Sequence, residues 1–327
     1  MKQILVLNTG GTIGMQATSK GLTPETGFLE QYVRMNILPL YHDLEITWFD
    51  FDPLIDSSQI SVDDWNNIGN KIENHIEEFD AFLIVHGTDT LAFTSSYLGL
   101  AFKNLPKPVV ITGSMRSIQE ENSDGPGNLR HSIMTCLTEK HKGVFVCFNN
   151  RLLPGEHVSK VDASDIDAFR GPVSDNIPLL TVEGKFQRLE AREQDIDIFT
   201  FFPGCSYQTL AFMADNSSKA IIIRSFGSGN APSSLELKNA IERAIQNNKI
   251  VINMSQCLGS QVDMHRYAAA EHLRELGVIS AYTMSLEAII TKLILILSFT
   301  EKQEVIKKEF IRPWAREIPN QSTNQPI

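Results

Sequence analysis

The chain has 327 residues, of which 42% are hydrophobic and 21% are charged, a composition typical of an ordinary globular protein. Its length favours two domains over a single hydrophobic core. The formal net charge is −10, and this excess of acidic residues argues against nucleic acid or an anionic membrane surface as a partner.

Short apolar strands alternate with helix-like segments through the first half of the chain. A pair consisting of Ser61 and Asp64 resembles a capping box at the start of one of these helices. The predicted strands are 4–7, 46–49, 81–85, 109–112 and 143–148, and the predicted helices are 62–79, 90–104 and 128–138. This alternation predicts an α/β fold with a parallel sheet covered on both faces. If Met1 is the natural start, the first strand leaves no room for a signal peptide, and we expect a cytoplasmic protein.

The second half resumes the same alternation after a charged segment, 180–206, that has no helical period. We interpret that segment as a strand plus an interdomain connection. The predicted strands that follow are 221–224, 251–254 and 278–282, with helices at 233–246 and 267–276 and a last helix that includes 288–297. Lys292 interrupts that last apolar run, which is too short to span a bilayer. The predicted organisation is an N-terminal α/β domain (1–188), a connection (189–206) and a smaller C-terminal α/β domain (207–327).

Four polar loops follow predicted strands, and each combines glycine with hydroxyl groups or an acid. They are NTGGT (8–12), HGTDT (86–90), TGSMR (112–116) and FGSGN (226–230). The first three should converge at one edge of one sheet, where ligands bind in parallel α/β proteins. In HGTDT, the Thr88 hydroxyl and Asp89 carboxylate would stand at the start of a helix, a site suited to a carbonyl or carboxylate group. The alternative is that these residues only cap the helix.

Several common chemistries have no signature in the sequence. Neither G-x-G-x-x-G nor G-x-x-x-x-G-K-[ST] occurs, no histidine pair has metal-ligand spacing, and G-x-S-x-G is absent. The four cysteines form no C-x-x-C pair, so a zinc knuckle or disulfide framework is not indicated. His86 is either a base or a packed residue at a strand end. What remains is a hydroxyl nucleophile such as Thr12, activated by a lysine such as Lys160, unless that lysine is a solvated surface charge.

Taken together, these motifs resemble the bacterial-type L-asparaginase family. The resemblance rests on TGGTIG (9–14), DSS (56–58), HGTDT (86–90), TGSMR (112–116), SDGPGN (123–128) and Lys160, in matching order along nearly the whole chain. Further segments are similar to the cytosolic type I subclass: FNNRLLPG (148–155), RSFGSGNAP (224–232) and SQC (255–257).

The resemblance implies a specific reaction in the N-terminal domain. Thr12 would attack the side-chain amide of L-asparagine and form an acyl-enzyme, with Thr88, Asp89 and Lys160 as the activating triad. The substrate-binding residues it implies are Asp56, Ser57, Ser58, Thr88 and Asp89. No metal or organic cofactor is expected. The partner would be a small amino-acid amide, and the chain would assemble as a homodimer or homotetramer.

Two further implications concern regulation and rate. Cytosolic members can be regulated by asparagine at a second site. Arg224, Asn230 and Cys257 lie in the segments where we would look for such a site, so they are candidate allosteric residues. Many members carry a tyrosine in a mobile loop after the nucleophile, whereas Leu22 stands in that place here. The segment around it is still expected to act as a lid. The choice between asparagine and glutamine concerns one methylene and is not readable from these residues.

Two alternatives stay open beside asparagine hydrolysis. One is the asparaginase-like subunit of a tRNA-dependent amidotransferase, against which stand the acidic charge and the start of the chain at the first catalytic strand. The other is an amino-acid-binding or sensor protein without turnover, which Leu22 keeps open.

Overall fold

The computed structural model describes residues 1–18, 21–171, 180–264 and 268–318. The chain divides between Glu190 and Ala191 into two compact units, Met1–Glu190 and Ala191–Ile327. Each unit is an α/β structure with its own sheet, which confirms the predicted fold class.

The first unit alternates strands and helices. Its strands are β1 (Lys2–Asn8), β2 (Met15–Thr18), β3 (Gly21–Pro24), β4 (Leu44–Asp50), β5 (Ala81–Val85), β6 (Phe102–Lys103), β7 (Pro108–Thr112), β8 (Gly143–Phe148), β9 (Arg151–Pro154), β10 (Ser159–Lys160), β11 (Phe169–Arg170) and β12 (Gln187–Arg188). Its helices are α1 (Phe28–Asn36), α2 (Val62–Asn74), α3 (Leu91–Ala101) and α4 (Gly125–Cys136).

The main sheet of this unit has the order β4-β1-β5-β7-β8-β9. All its neighbours are parallel except the β8–β9 hairpin. The strand order reverses between β1 and β5, because β4 lies on one side of β1 and β5 on the other. Such a switch point leaves a crevice at the carboxyl ends of the two strands, where ligands bind in open α/β sheets. The first two glycine-rich loops, 8–12 and 86–90, therefore face the same crevice.

On one face of the sheet, every second side chain of the strands packs against the apolar side chains of the helices, and together they form the core. Ile4 and Val6 of β1 point to this face and share a buried cluster with Val33 of α1 and Ile133 of α4. Fully burying a side chain of this size contributes about 1.5–3 kcal/mol. The predicted capping box of α2 is present, with Ser61 and Asp64 satisfying each other's backbone N–H.

The second unit has a four-stranded parallel sheet in the order β13-β14-β15-β16. These strands are β13 (Ile196–Thr200), β14 (Ala220–Ser225), β15 (Ile250–Ser255) and β16 (Ile279–Ser280), and the helices are α5 (Tyr207–Asp215), α6 (Leu235–Gln246), α7 (Ala268–Glu275), α8 (Leu286–Phe299) and α9 (Gln303–Ile311). The expected connection 189–206 thus contains β13. This is the strand that the sequence indicated within 180–206 without bounds. It lies at the edge of the sheet, where acidic Asp195 and Asp197 interrupt the apolar pattern and Ile198 also faces solvent.

A short hairpin follows the first glycine turn. Strands β2 and β3 pair antiparallel, with Leu22 opposite Ala17 in the backbone register. The sequence indicated a surface loop here, because the repeated glycine and the proline outweigh the weak strand pattern. Residues 19 and 20, between the strands, lie outside the described residues. In the part of the chain that the structure describes, no helix is long and apolar enough to cross a membrane.

Candidate active site

Two glycine turns touch at the switch point. Gly10 and Gly11 follow β1 with φ of 119° and 105°, a conformation that favours glycine. A Cβ on Gly11 would lie 2.7 Å from both Cα and N of Gly87, so the two backbones are in direct contact. Gly11 is followed by Thr12, which lies in a 3-10 turn (Thr12–Gly14), and Gly87 is followed by Thr88, just after the end of β5. The contact therefore brings the two threonine loops together from β1 and β5.

Lys160 reaches this crevice from β10. Its Nζ donates to Thr88 Oγ1 at 2.9 Å and to Asp89 Oδ1 at 2.8 Å. The lysine side chain is only 18% exposed and Thr88 is 8% exposed, whereas the Asp89 side chain is 63% exposed. The amine is therefore engaged with the loop and sheltered from bulk solvent. The carboxylate has a free face toward solvent that can accept a hydrogen bond from a ligand.

The DSS segment lies against the same loop through one of its residues. A Cβ on Gly87 would stand 2.5 Å from Ser57 Oγ and 2.7 Å from Ser57 Cβ, so this serine is packed on the glycine backbone. Ser57 is buried, whereas Asp56 and Ser58 are exposed. Asp56 accepts a hydrogen bond from the Ser58 backbone N–H at 3.0 Å, and this bond lowers the pKa of the Asp56 carboxyl. Of the three residues, Ser57 contacts the HGTDT loop directly, and Asp56 caps its own turn.

His86 is a buried part of the scaffold. Trp65 Nε1 donates to Thr94 Oγ1 at 3.0 Å, and Thr94 Oγ1 lies 2.9 Å from His86 Nε2. Because the carbonyl oxygen of Gly87 can only accept, Nδ1 carries the proton that binds Gly87 O at 2.7 Å. In the neutral ring Nε2 is then the acceptor, and the Thr94 hydroxyl donates to it. Burial lowers the pKa of His86 to about 4. With both ring nitrogens occupied, the geometry favours the packed histidine over the base.

The third loop, 112–116, is held by residues that no sequence motif marks as a support. Asp124 accepts from the backbone N–H of Met115 at 3.0 Å and from that of Arg116 at 3.1 Å. Asn128 donates to Gly113 O at 3.0 Å. Both acceptor and donor come from the start of α4, within the SDGPGN segment. The sequence marked that segment through the family resemblance, without indicating that it supports the polar loop.

The candidate allosteric residues all belong to the second unit. Arg224 lies near the end of β14, Asn230 in the loop that follows it, and Cys257 is exposed just after β15. The two loops are tied together by Ser255 Oγ, which donates to Gly227 O at 2.6 Å. Within the described ranges, Arg224 Nε and Asn230 Oδ1 are buried atoms without a hydrogen-bond partner.

The second unit also contains a polar cavity of about 430 Å³ at the opposite edge of its sheet, where the amino ends of β14 and β15 lie. None of the candidate residues named above lines it. The buried Lys249 amine in its wall is satisfied by oxygens of Asn216 and Ser218. Among the residues that the structure describes, no group of three or more histidines, cysteines and acids is placed to hold a metal ion.

Two protein-family models match this chain, and they divide it at nearly the same place as the two units. A family model described as "Asparaginase, N-terminal" matches residues 3–193, and one described as "Glutaminase/Asparaginase C-terminal domain" matches residues 195–310.

Individual proteins of known name are similar to this chain over nearly its whole length. L-asparaginase 1 of Escherichia coli is 35% identical and is covered over 95% of its length by 94% of this chain. The crystal structure of L-asparaginase I from Vibrio cholerae superimposes with a TM-score of 0.87 at 32% identity, covering 97% of this chain and 99% of the other. A glutamyl-tRNA(Gln) amidotransferase subunit of Thermococcus kodakarensis is 26% identical over 97% of this chain and 77% of its own length. The resemblance found in the sequence is confirmed, and the chain belongs to the asparaginase family.

Proposed function

We propose that this protein hydrolyses the side-chain amide of L-asparagine, giving L-aspartate and ammonia. The observation that carries the proposal is the bond pair of Lys160, whose amine binds Thr88 and Asp89 beside the turn that bears Thr12. The names of the full-length relatives support the same reaction class.

The proposed reaction proceeds through a covalent intermediate. Thr12 Oγ1 attacks the amide carbon, and its proton passes by way of Thr88 to the Lys160 amine, which serves as the base. The tetrahedral intermediate collapses when the nitrogen takes up a proton and leaves as ammonia, which places an ester on Thr12. Water then attacks that ester, and aspartate leaves with regeneration of the hydroxyl. Free N–H groups at the start of α3 are suited to stabilise the oxyanion in both halves.

The same residues give the substrate its orientation. Asparagine carries an ammonium and a carboxylate on its Cα, and the exposed Asp89 carboxylate is available for the ammonium. Ser57, packed on Gly87, would donate to the α-carboxylate. Asp56 and Ser58 would complete this end of the site from the rim. No step requires a metal or an organic cofactor.

Ammonia release tests the proposal directly. The wild-type protein should release ammonia from asparagine. Thr12→Ala and Lys160→Met should each lower kcat by at least about 100-fold, because the first removes the nucleophile and the second removes the base. Lys140→Met is the matched control, since Lys140 is an exposed lysine of the same unit, and it should keep full activity. Full activity in either site variant would remove that residue from the mechanism.

The amidotransferase-like alternative is favoured by one observation, the similarity to the glutamyl-tRNA(Gln) amidotransferase subunit of Thermococcus kodakarensis. A subunit of that kind would release ammonia only to a partner, so the isolated chain would show little turnover with either amide. Parallel assays with asparagine and glutamine separate the two functions and also establish the substrate preference.

We infer a regulatory role for Arg224, Asn230 and Cys257 on narrower support. The support is that two loops of the second unit meet there and that Arg224 Nε and Asn230 Oδ1 are buried polar atoms left without partners among the described residues. A second asparagine would supply a carboxylate and an amide for them. Sigmoidal kinetics that become hyperbolic in Arg224→Met is the expected result. Hyperbolic kinetics and one bound asparagine per chain in the wild type would contradict it.

A further inference from the structure

We propose that Thr90 is a positioning residue, whose hydroxyl ties the Ser57 segment to the HGTDT loop and thereby sets the geometry of the substrate-carboxylate site. The inference rests on the proposed function, in which Ser57 helps to hold the α-carboxylate of asparagine.

The first observation is that Thr90 does not do what its position suggests. It occupies the N-cap of α3, a place where threonine side chains usually accept a hydrogen bond from the helix backbone. Its side chain makes no such bond. Instead Thr90 Oγ1 donates to the backbone carbonyl of Ser57 at 2.6 Å, across 33 positions of sequence. The hydroxyl is thus used for a long-range contact between two substrate-binding segments.

The second observation is that Ser57 is held at two points, and Thr90 provides one of them. Its side chain is packed on the backbone of Gly87, with no space for a Cβ between them. Its carbonyl otherwise accepts a long bond of 3.4 Å from the backbone N–H of Ile60. The Thr90 hydroxyl is therefore the short, well-placed donor that fixes the Ser57 peptide. Fixing both the peptide and the side chain determines where the Ser57 hydroxyl points.

Loss of this bond should affect binding more than chemistry. The reacting groups Thr12, Thr88 and Lys160 do not depend on the Ser57 carbonyl, so the rate of the bound substrate should change little. A displaced Ser57 hydroxyl weakens the grip on the α-carboxylate in the ground state and transition state alike, which raises KM. One weakened hydrogen bond to a charged group corresponds to about a tenfold change in KM.

The test compares Thr90→Val, which keeps the shape and removes the donor, with Thr90→Ser, which keeps the donor. Thr90→Val should raise KM for asparagine about tenfold with kcat within about threefold, and Thr90→Ser should restore most of the affinity. Thr291→Val in α8 removes another buried hydroxyl, one that donates to Glu287 O at 2.8 Å. It controls for stability and should leave KM unchanged.

A substrate analogue tells positioning apart from general damage. β-Alaninamide is asparagine without its α-carboxylate, so Thr90→Val should not weaken its binding as a competitive ligand. Equal losses for asparagine and β-alaninamide, or an unchanged KM for asparagine, would overturn the inference.

Calorimetric binding of asparagine, which needs no turnover, keeps the two proposals separable. Wild-type binding without ammonia release rejects the proposed hydrolysis and leaves the Thr90 effect measurable as an affinity. Absence of asparagine binding rejects both.

Discussion

At the residue scale, the site depends on one lysine whose partners are far away in sequence. Lys160 is 71 residues from Asp89, and a two-residue strand of its own positions it there. The sequence left Lys160 as either the activator of a hydroxyl nucleophile or a solvated surface charge, and only the family resemblance favoured the first interpretation. The same limit applies to Thr90, whose partner is 33 residues away. The motifs show which residue types are present, but which side chains contact each other depends on the complete three-dimensional fold.

Lys160→Arg separates the charge of this side chain from its proposed role as a base. Arginine would place a permanent positive charge near Asp89, because its guanidinium does not give up its proton in proteins. We expect kcat for asparagine to fall by at least about 100-fold while KM stays within about threefold. Steady-state ammonia release measures both constants. An arginine variant with near-normal kcat would show that the residue acts only as a fixed charge.

His86 predicts how stability responds to acid. Its pKa falls from 6.5 to about 4 on burial, so between these values the unfolded chain binds a proton that the folded chain does not. The stabilising effect is full above about pH 6.5 and is lost as pH falls toward about 4, at a cost of about 3 kcal/mol in the free energy of unfolding.

Denaturant unfolding across this pH range measures how the free energy of unfolding changes with pH. The His86→Asn variant should show a smaller change than the wild type. Burial also lowers the pKa of His131, a residue distant in sequence from the HGTDT loop, so His131→Asn is the comparison variant. Identical pH slopes for wild type and His86→Asn would contradict the buried neutral histidine.

At the scale of elements, the parallel strands and their helices were predictable, whereas the short additions were not. Strands 81–85 and 143–148 have the predicted bounds, because buried parallel strands are continuous apolar runs flanked by turn residues. The hairpin β2–β3 was missed, and the edge strand β13 was predicted only as an unbounded strand within 180–206, since both are short and partly exposed and carry polar residues. The parallel alternation predicts that the polar loops converge at one sheet edge, but the direct contact between the 8–12 and 86–90 loops follows from the strand order, which local pattern does not contain.

The contact between the glycine turns gives a matched pair of alanine substitutions. Gly11→Ala requires a strained φ and places a methyl 2.7 Å from the Gly87 backbone, so we expect a loss of more than about 1 kcal/mol of stability and of most activity. Gly127→Ala in α4 meets nothing within 4 Å, and removing a helical glycine should stabilise by about 0.5–1 kcal/mol. Thermal unfolding and ammonia release measure both. Equal behaviour of the two variants would contradict direct contact of the turns.

At the scale of the whole molecule, each unit has its own core, and the second also contains a buried ion pair. Lys292 of α8 and Glu317 are both 0% exposed, with 2.7 Å between Nζ and Oε1. The same amine donates to Arg312 O at 2.7 Å, and the carboxylate accepts from the backbone N–H of Trp314 at 2.8 Å. Together these bonds hold the 312–317 segment to α8.

Assembly as a homodimer or homotetramer and a cytoplasmic location stay predictions. Analytical ultracentrifugation measures the first of them.

Breaking this pair from one side should destabilise the second unit strongly. Lys292→Met leaves the Glu317 carboxylate buried and uncompensated, which costs about 3–5 kcal/mol. The double variant Lys292→Met with Glu317→Gln should recover part of the loss, because no buried charge remains. Hydrogen exchange of α8 peptides measures the effect within this unit. Unchanged protection in the single variant would contradict a buried charge pair.

The covalent intermediate on Thr12 offers the most direct measurement of the proposed chemistry. Wild-type protein mixed with asparagine and quenched in acid before the steady state should carry one aspartyl group, and peptide mass spectrometry should find it as an ester on Thr12. Lys160→Met should form this ester far more slowly. Rapid ammonia release with no ester at Thr12, or an ester on a different residue, would contradict the assignment of Thr12 as the nucleophile armed by the Lys160 amine.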